Sequence, residues 1–124
     1  MSIELDGLNL SLEDTAKIAR SNAKVSIHPD ALVRVEDSFN LVQKLIKEDR
    51  VIYGVSVGVG ELDCVDISKE EQKNHQENMI LAHACGVGPS METDQARAMM
   101  VARLNNFLRG KSGASPDLIR QMVS

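Results

Sequence analysis

Aromatic side chains are almost absent from this 124-residue sequence: Tyr53, Phe39 and Phe107 are the full set, and there is no tryptophan. A core must therefore be built from Leu, Ile, Val, Met and Ala, and the stacking platforms that bind single-stranded nucleic acid are missing. No basic cluster stands out. Fourteen Lys and Arg against eighteen Asp and Glu leave a net charge of −4, which argues against nucleic acid and anionic membrane as partners. Long apolar runs are lacking too, so neither a signal peptide nor a transmembrane helix is expected. Two cysteines, Cys64 and Cys85, do not make a disulfide framework, and a reduced, cytoplasmic location is expected. The length suffices for one domain with its own core.

The residues that are present spell out mostly helices. Ile3 to Leu10 reads as a short extended segment with a turn at Asp6-Gly7. Ser11 and Asp14 open a first helix through a capping box, running to about Arg20. A short strand is expected at Lys24-Val25. Pro29 suits a first helical position, and the apolar spacing from Leu32 to Ile46 predicts a long amphipathic helix to Lys47. Val51-Ile52-Tyr53 reads as a brief extended run. Ser68 and Glu71 form a second capping box, opening a helix that is polar from Lys69 to Asn78 and apolar from Met79 to Cys85. That asymmetry predicts passage from solvent into a buried site, with Gly86 as the residue that ends the helix. Thr93 is expected to cap a helix from Asp94 to Leu108, apolar on most faces, hence surrounded by protein, and closed by Gly110. Ser115-Pro116 begins a last helix with Leu118, Ile119, Met122 and Val123 on one face.

Two glycine-rich stretches draw attention. Tyr53-Gly54-Val55-Ser56-Val57-Gly58-Val59-Gly60 presents the one tyrosine on a hinged loop, and His83-Ala84-Cys85-Gly86-Val87-Gly88 places a histidine before another glycine turn. Glycine lets a backbone approach a substrate closely; the same pattern also fits a plain turn. Gly58-Val59-Gly60 is not a dinucleotide fingerprint, because the third glycine would fall on Asp63. Cys64, His75, His83 and Cys85 lack the paired spacing of structural zinc sites, so no metal site is assigned and Cys85 is expected to be a buried, inert thiol. His28 suits a helix start, and His75 is expected to face solvent. His83 lies in apolar surroundings, which leaves a satisfied core histidine and a site residue both open. Arg103, Asn105 and Arg109 interrupt or follow an apolar helix and read as a salt-bridged seam or an anion-binding edge.

Taken in order, three motifs resemble the amino-terminal part of the aromatic amino-acid ammonia-lyases and aminomutases, the family that uses the methylidene-imidazolone prosthetic group. They are Asp49-Arg50-Val51-Ile52-Tyr53-Gly54-Val55 with its glycine loop, then Gln76-Glu77-Asn78 leading to His83-Ala84-Cys85-Gly86-Val87-Gly88, and Ala102-Arg103-Leu104-Asn105 followed by Arg109-Gly110-Lys111-Ser112-Gly113. The resemblance implies a mainly α fold with a few short β-strands: the amino-terminal domain of the lyase fold over residues 1–110, and the start of its central helical domain over 111–124. It assigns Tyr53 as the base that removes a β-proton, and Gly54 and Gly58 as loop hinges. Gly60 and His83 become substrate-binding residues, with His83 facing the substrate side chain. A free phenol titrates near about 10, so a base of this kind needs help from its surroundings near neutrality.

The sequence also departs from that family. Val57-Gly58-Val59-Gly60 stands where a Thr-Gly-Phe/Tyr-Gly loop is usual, Asn106 replaces a serine, and Ala114-Ser115 replaces Val-Arg before Pro116. In the family the electrophile forms by cyclisation of Ala-Ser-Gly, and no Ala-Ser-Gly occurs here: Gly113-Ala114-Ser115 is followed by Pro116. The chain is therefore expected to be part of a longer or split enzyme, or a remnant, and inactive alone. A small aromatic amino acid is the implied substrate, with histidine first, and a homo-oligomer is the implied assembly. A tyrosine-type aminomutase segment and a non-catalytic helical interaction protein are the alternatives.

Overall fold

The computed structural model describes residues 2–62 and 65–124; the side chains of Leu62, Lys69, Gln72 and Lys73 are not described. Asp63 and Cys64 therefore lie outside the described residues. No helix among those described is long and apolar enough to cross a membrane. The chain forms two compact units, Met1–Val42 with Ser90–Ser124, and Gln43–Pro89.

In the first unit, β1 (Ser2–Leu5) and β2 (Lys24–Ile27) pair in parallel, with Ile3 opposite Val25 and Leu5 opposite Ile27. Parallel pairing needs a crossover, and α1 (Leu12–Ser21) supplies it. Ser11 caps α1: its Oγ accepts from Asp14 N at 3.0 Å and donates to the Asp14 carboxylate at 2.8 Å. A left-handed Asn22, φ 52°, turns the chain out of α1 into β2. The long α2 (Pro29–Lys47) starts on its proline as the spacing predicts, and His28 Nδ1 accepts from Asp30 N at 3.2 Å. α4 (Thr93–Phe107) packs along α1, and α5 (Pro116–Val123) packs on α4. Leu5, Ile18, Ala31, Val35, Val101, Leu104, Leu108 and Ile119 make the buried aliphatic core of this unit. The segment from 111 onward thus contributes Ile119 to that core.

The turn after β1 is built by one carboxylate. Asp6 Oδ1 accepts from the N–H groups of Leu8 at 2.7 Å and Asn9 at 2.8 Å, and Asn9 Nδ2 donates to Oδ2 at 2.5 Å. These bonds favour the ionised form and hold the Asp6 carboxyl at about 2, below its ordinary 3.8. Asp14 is lowered too, first by the Ser11 hydroxyl and then by Lys17. A carboxyl lowered on folding stabilises the fold above its unfolded value, and that contribution is lost as pH falls through the folded one. The stability difference between wild type and Asp6→Asn is therefore expected to shrink between pH 3.8 and about 2. Urea midpoints measured down that range check this, and a constant difference would refute it.

The start and the surroundings of α4 differ from expectation. Thr93 is the first residue of α4, and the cap position is Glu92, which makes no side-chain cap bond. α4 is not enclosed: Val101 and Leu104 are buried, but Met99 and Met100 are 61% and 53% exposed, because α1 and α5 cover only part of its circumference. Arg103 lies over the Phe107 ring at 4.6 Å, and Asn105 Oδ1 accepts from Gly7 N at 3.0 Å. Their roles are therefore stacking and turn support.

The second unit holds the glycine loop, a short 3₁₀ turn (Gly60–Leu62) and α3 (Lys69–His83). Ser68 caps α3, its Oγ accepting from Glu71 N at 3.3 Å and donating to the Glu71 carboxylate at 2.6 Å. The end of α3 is not set by Gly86. Ala84 is the cap residue, and the left-handed backbone falls later, at Gly88. The expected passage of α3 into a buried environment is not seen within this unit: Ile80 is 72% and Leu81 66% exposed. Cys85 is exposed rather than buried, because none of the unit's described residues packs over the chain beyond His83. His75 also departs from expectation. Its Nε2 is buried with no hydrogen-bond partner among the described residues, and the residue lines a cavity together with Gly58, 65–67 and the polar half of α3.

Candidate active site

Val51 to Tyr53 does not form a strand. Val55 N and Ser56 N both donate to Ile52 O at 3.0 Å, closing a turn. Ser56 braces it: its Oγ accepts from Ile52 N at 2.8 Å and donates to Arg50 O at 3.1 Å. Gly54 makes the turn possible at φ 70°, a left-handed conformation that costs other residues energy. The result is a phenol carried outward, 63% exposed. Val57 and Gly58 then pair with 65–66, and Val57 is buried.

Tyr53, Val59, Gly60, Gln76, Met79, Ile80 and His83 line one open cavity of about 510 Å³. Gly60 N–H donates to the Tyr53 phenolic oxygen at 3.0 Å. An N–H aimed at that oxygen stabilises negative charge developing on it when the phenol gives up its proton. His83 Nδ1 lies 2.7 Å from Met79 O. A carbonyl can only accept, so Nδ1–H is the donor, and in the neutral imidazole that leaves Nε2 as an acceptor. Gln76 Nε2 donates to Gly54 O at 2.6 Å, tying the tyrosine turn to α3.

Tyr53, Gly60 and His83, singled out in the sequence, are thus brought to one cavity, and Gly54 stands directly behind Tyr53. Gly58 does not line it. Its N–H pairs with Val65 O at 3.1 Å, and the residue belongs to the separate cavity beside His75. Gln76, Met79 and Ile80 were missed as site residues. The signal was present in the spacing: with His83 they fall at i, i+3, i+4 and i+7, which is one face of a helix. Among the described residues, no group of three or more His, Cys, Asp or Glu could hold a metal.

The Aromatic amino acid lyase family profile matches residues 10–124. The chain belongs to this family, whose members are ammonia-lyases and aminomutases. It is 40% identical over 116 residues to a histidine ammonia-lyase of Treponema denticola, covering 94% of this chain and 23% of that protein. A histidine ammonia-lyase of Alkaliphilus metalliredigens is 33% identical over 122 residues, covering 98% and 24%. Among solved structures, a tyrosine aminomutase from Streptomyces globisporus superposes with a TM-score of 0.94 at 28% identity, covering 99% of this chain and 23% of that one. The mainly helical fold with two short strands is the one these neighbours share. This chain spans about a quarter of the length of the curated relatives it matches.

The prosthetic group expected for the family does not fit the residues of this chain. An imidazolone ring closed across three residues must join the third residue's nitrogen to the first residue's carbonyl carbon, and this requires an N–H on the third. The nearest match is Ala114-Ser115-Pro116, where proline has no N–H. Ser115 Oγ is engaged as the cap of α5, accepting from Leu118 N at 3.2 Å. These 124 residues therefore cannot form that group by themselves.

Proposed function

We propose that this chain supplies one wall of an ammonia-lyase site for an aromatic amino acid, with histidine as the substrate. In this reading Tyr53 takes the β-proton, Gly60 N–H holds and polarises its oxygen, and His83 Nε2 accepts a hydrogen bond from the substrate's ring N–H. The observation that carries the reading is that Tyr53, Gly60 and His83 share one cavity, although Tyr53 and His83 stand far apart in the sequence. The electrophile comes from residues outside these 124. The working enzyme is cytoplasmic and a homo-oligomer, and the exposure of Met99 and Met100 supports the latter. A tyrosine aminomutase reading is favoured by the likeness to the Streptomyces globisporus structure. Val57 and Val59, in place of a hydroxyl and an aromatic residue, favour the non-catalytic alternative.

The test is product analysis. The 124-residue chain alone is expected to release no ammonia from histidine, tyrosine or phenylalanine. The protein completed by an Ala-Ser-Gly segment is expected to convert histidine to urocanate. A β-amino acid product would mean aminomutase, and no turnover of any of the three by the completed protein would remove the lyase reading.

A further inference from the structure

We propose that Gln76 is the positioning residue for Tyr53. The inference rests on reading Tyr53 as the base, but it concerns how the phenol is held. Most ties within the tyrosine turn are local: Val55 N and Ser56 N bond to Ile52 O, and Ser56 Oγ bridges Ile52 N and Arg50 O. Such bonds shape the turn without fixing where it stands against the helix that carries His83. The Gln76 side chain does that. It reaches across 22 positions of sequence to Gly54 O at 2.6 Å, one residue beyond Tyr53, and lines the same cavity.

The chemistry of the pair is unambiguous, because a carbonyl accepts and only the amide nitrogen of glutamine donates. Gln76 and His83 lie seven residues apart on one face of α3. The bond therefore sets the tyrosine turn and the histidine against a single rigid element, which is how a reactive pair keeps its spacing. Gly60 N–H fixes the far end of the same phenol. Tyr53 is held at its backbone from α3 and at its oxygen from the loop.

Tyr53 is the sole tyrosine and there is no tryptophan, so the near-ultraviolet circular dichroism band of tyrosine reports this residue alone. Gln76→Leu keeps a side chain of comparable bulk and removes the donor. It is expected to lose the tyrosine band while far-ultraviolet helix content stays unchanged, since Gln76 is itself exposed. Gln76→Glu is the decisive variant. At neutral pH its carboxylate cannot donate and repels Gly54 O, so the band is lost. Below about pH 4.3 the neutral acid can donate its O–H, and the band is expected to return relative to wild type at the same pH. In the completed lyase, Gln76→Leu is expected to lower kcat roughly 2- to 10-fold, the range a single exposed hydrogen bond supports, with KM little changed.

An unchanged tyrosine band in both variants overturns the proposal. So does loss of the band together with helix content, or a Gln76→Glu band that stays lost on acidification. The outcomes separate from those for the lyase reading: a completed wild-type protein without turnover, but with the Gln76→Glu band recovering in acid, sinks the activity and leaves the positioning role standing.

Discussion

Tyr53→Phe in the completed protein is expected, on the proposed reading of the phenol as the base, to lower kcat by about 10²- to 10⁴-fold, the range that a positioned general base contributes. The change deletes one oxygen at nearly constant volume. The deleted oxygen sits on an exposed loop, so its loss leaves Gly60 N–H to water rather than stranding a buried donor. Stability is therefore expected to shift by no more than about 1 kcal/mol. A large kinetic loss with an unchanged thermal midpoint identifies the phenol as part of the chemistry. Rates within twofold of wild type would remove Tyr53 from that role and move the search for the base to other residues.

The second large effect concerns the fold. Gly110, just past α4, has φ 66°, and a Cβ built there would stand 2.5 Å from the carbonyl oxygen and 2.7 Å from the carbonyl carbon of Arg34. Both are backbone atoms of α2, and they cannot swing aside as a side-chain tip can. Gly110→Ala combines left-handed strain of about 1–3 kcal/mol with forced overpacking of a similar size, roughly 2–6 kcal/mol in all. Against a total of about 5–15 kcal/mol for a domain, that is a severe loss. Gly86→Ala is the control, since a Cβ there meets nothing within 4 Å and no left-handed backbone is required. Its urea midpoint is expected to stay within about 0.5 kcal/mol of wild type. A Gly110→Ala loss below about 1 kcal/mol would mean that α2 and the end of α4 adapt to one another more freely than their close approach indicates.

The two capping boxes, Ser11 with Asp14 and Ser68 with Glu71, and the proline starts of α2 and α5 could be read directly from the sequence, because each depends on a few adjacent residues. The same holds for Tyr53 and His83, which stood out by residue type beside glycine and by resemblance to the family. Element ends without a local signature were harder. Thr93 had the chemistry of a cap but sits inside the helix, and Gly86 had the freedom of a terminator but was not needed, since α3 ends at His83 with Ala84 as its cap. The pairing of β1 with β2 was invisible, because parallel strands meet through a crossover whose outcome no local pattern records.

What the residues determined by themselves is what short-range chemistry controls: helix starts, the turn at Asp6, the apolar faces of α1, α2 and α5, and membership of a family through three ordered motifs. What only the tertiary structure decided is which of those features meet. It placed Gln76, Met79 and Ile80 in the cavity with Tyr53, turned Gly58 away from it, and left Cys85, Met99 and Met100 exposed. The physical reason is that burial and approach depend on what the rest of the chain covers. A side chain's own type states a preference for water or for packing, but not whether a partner surface arrives to satisfy it.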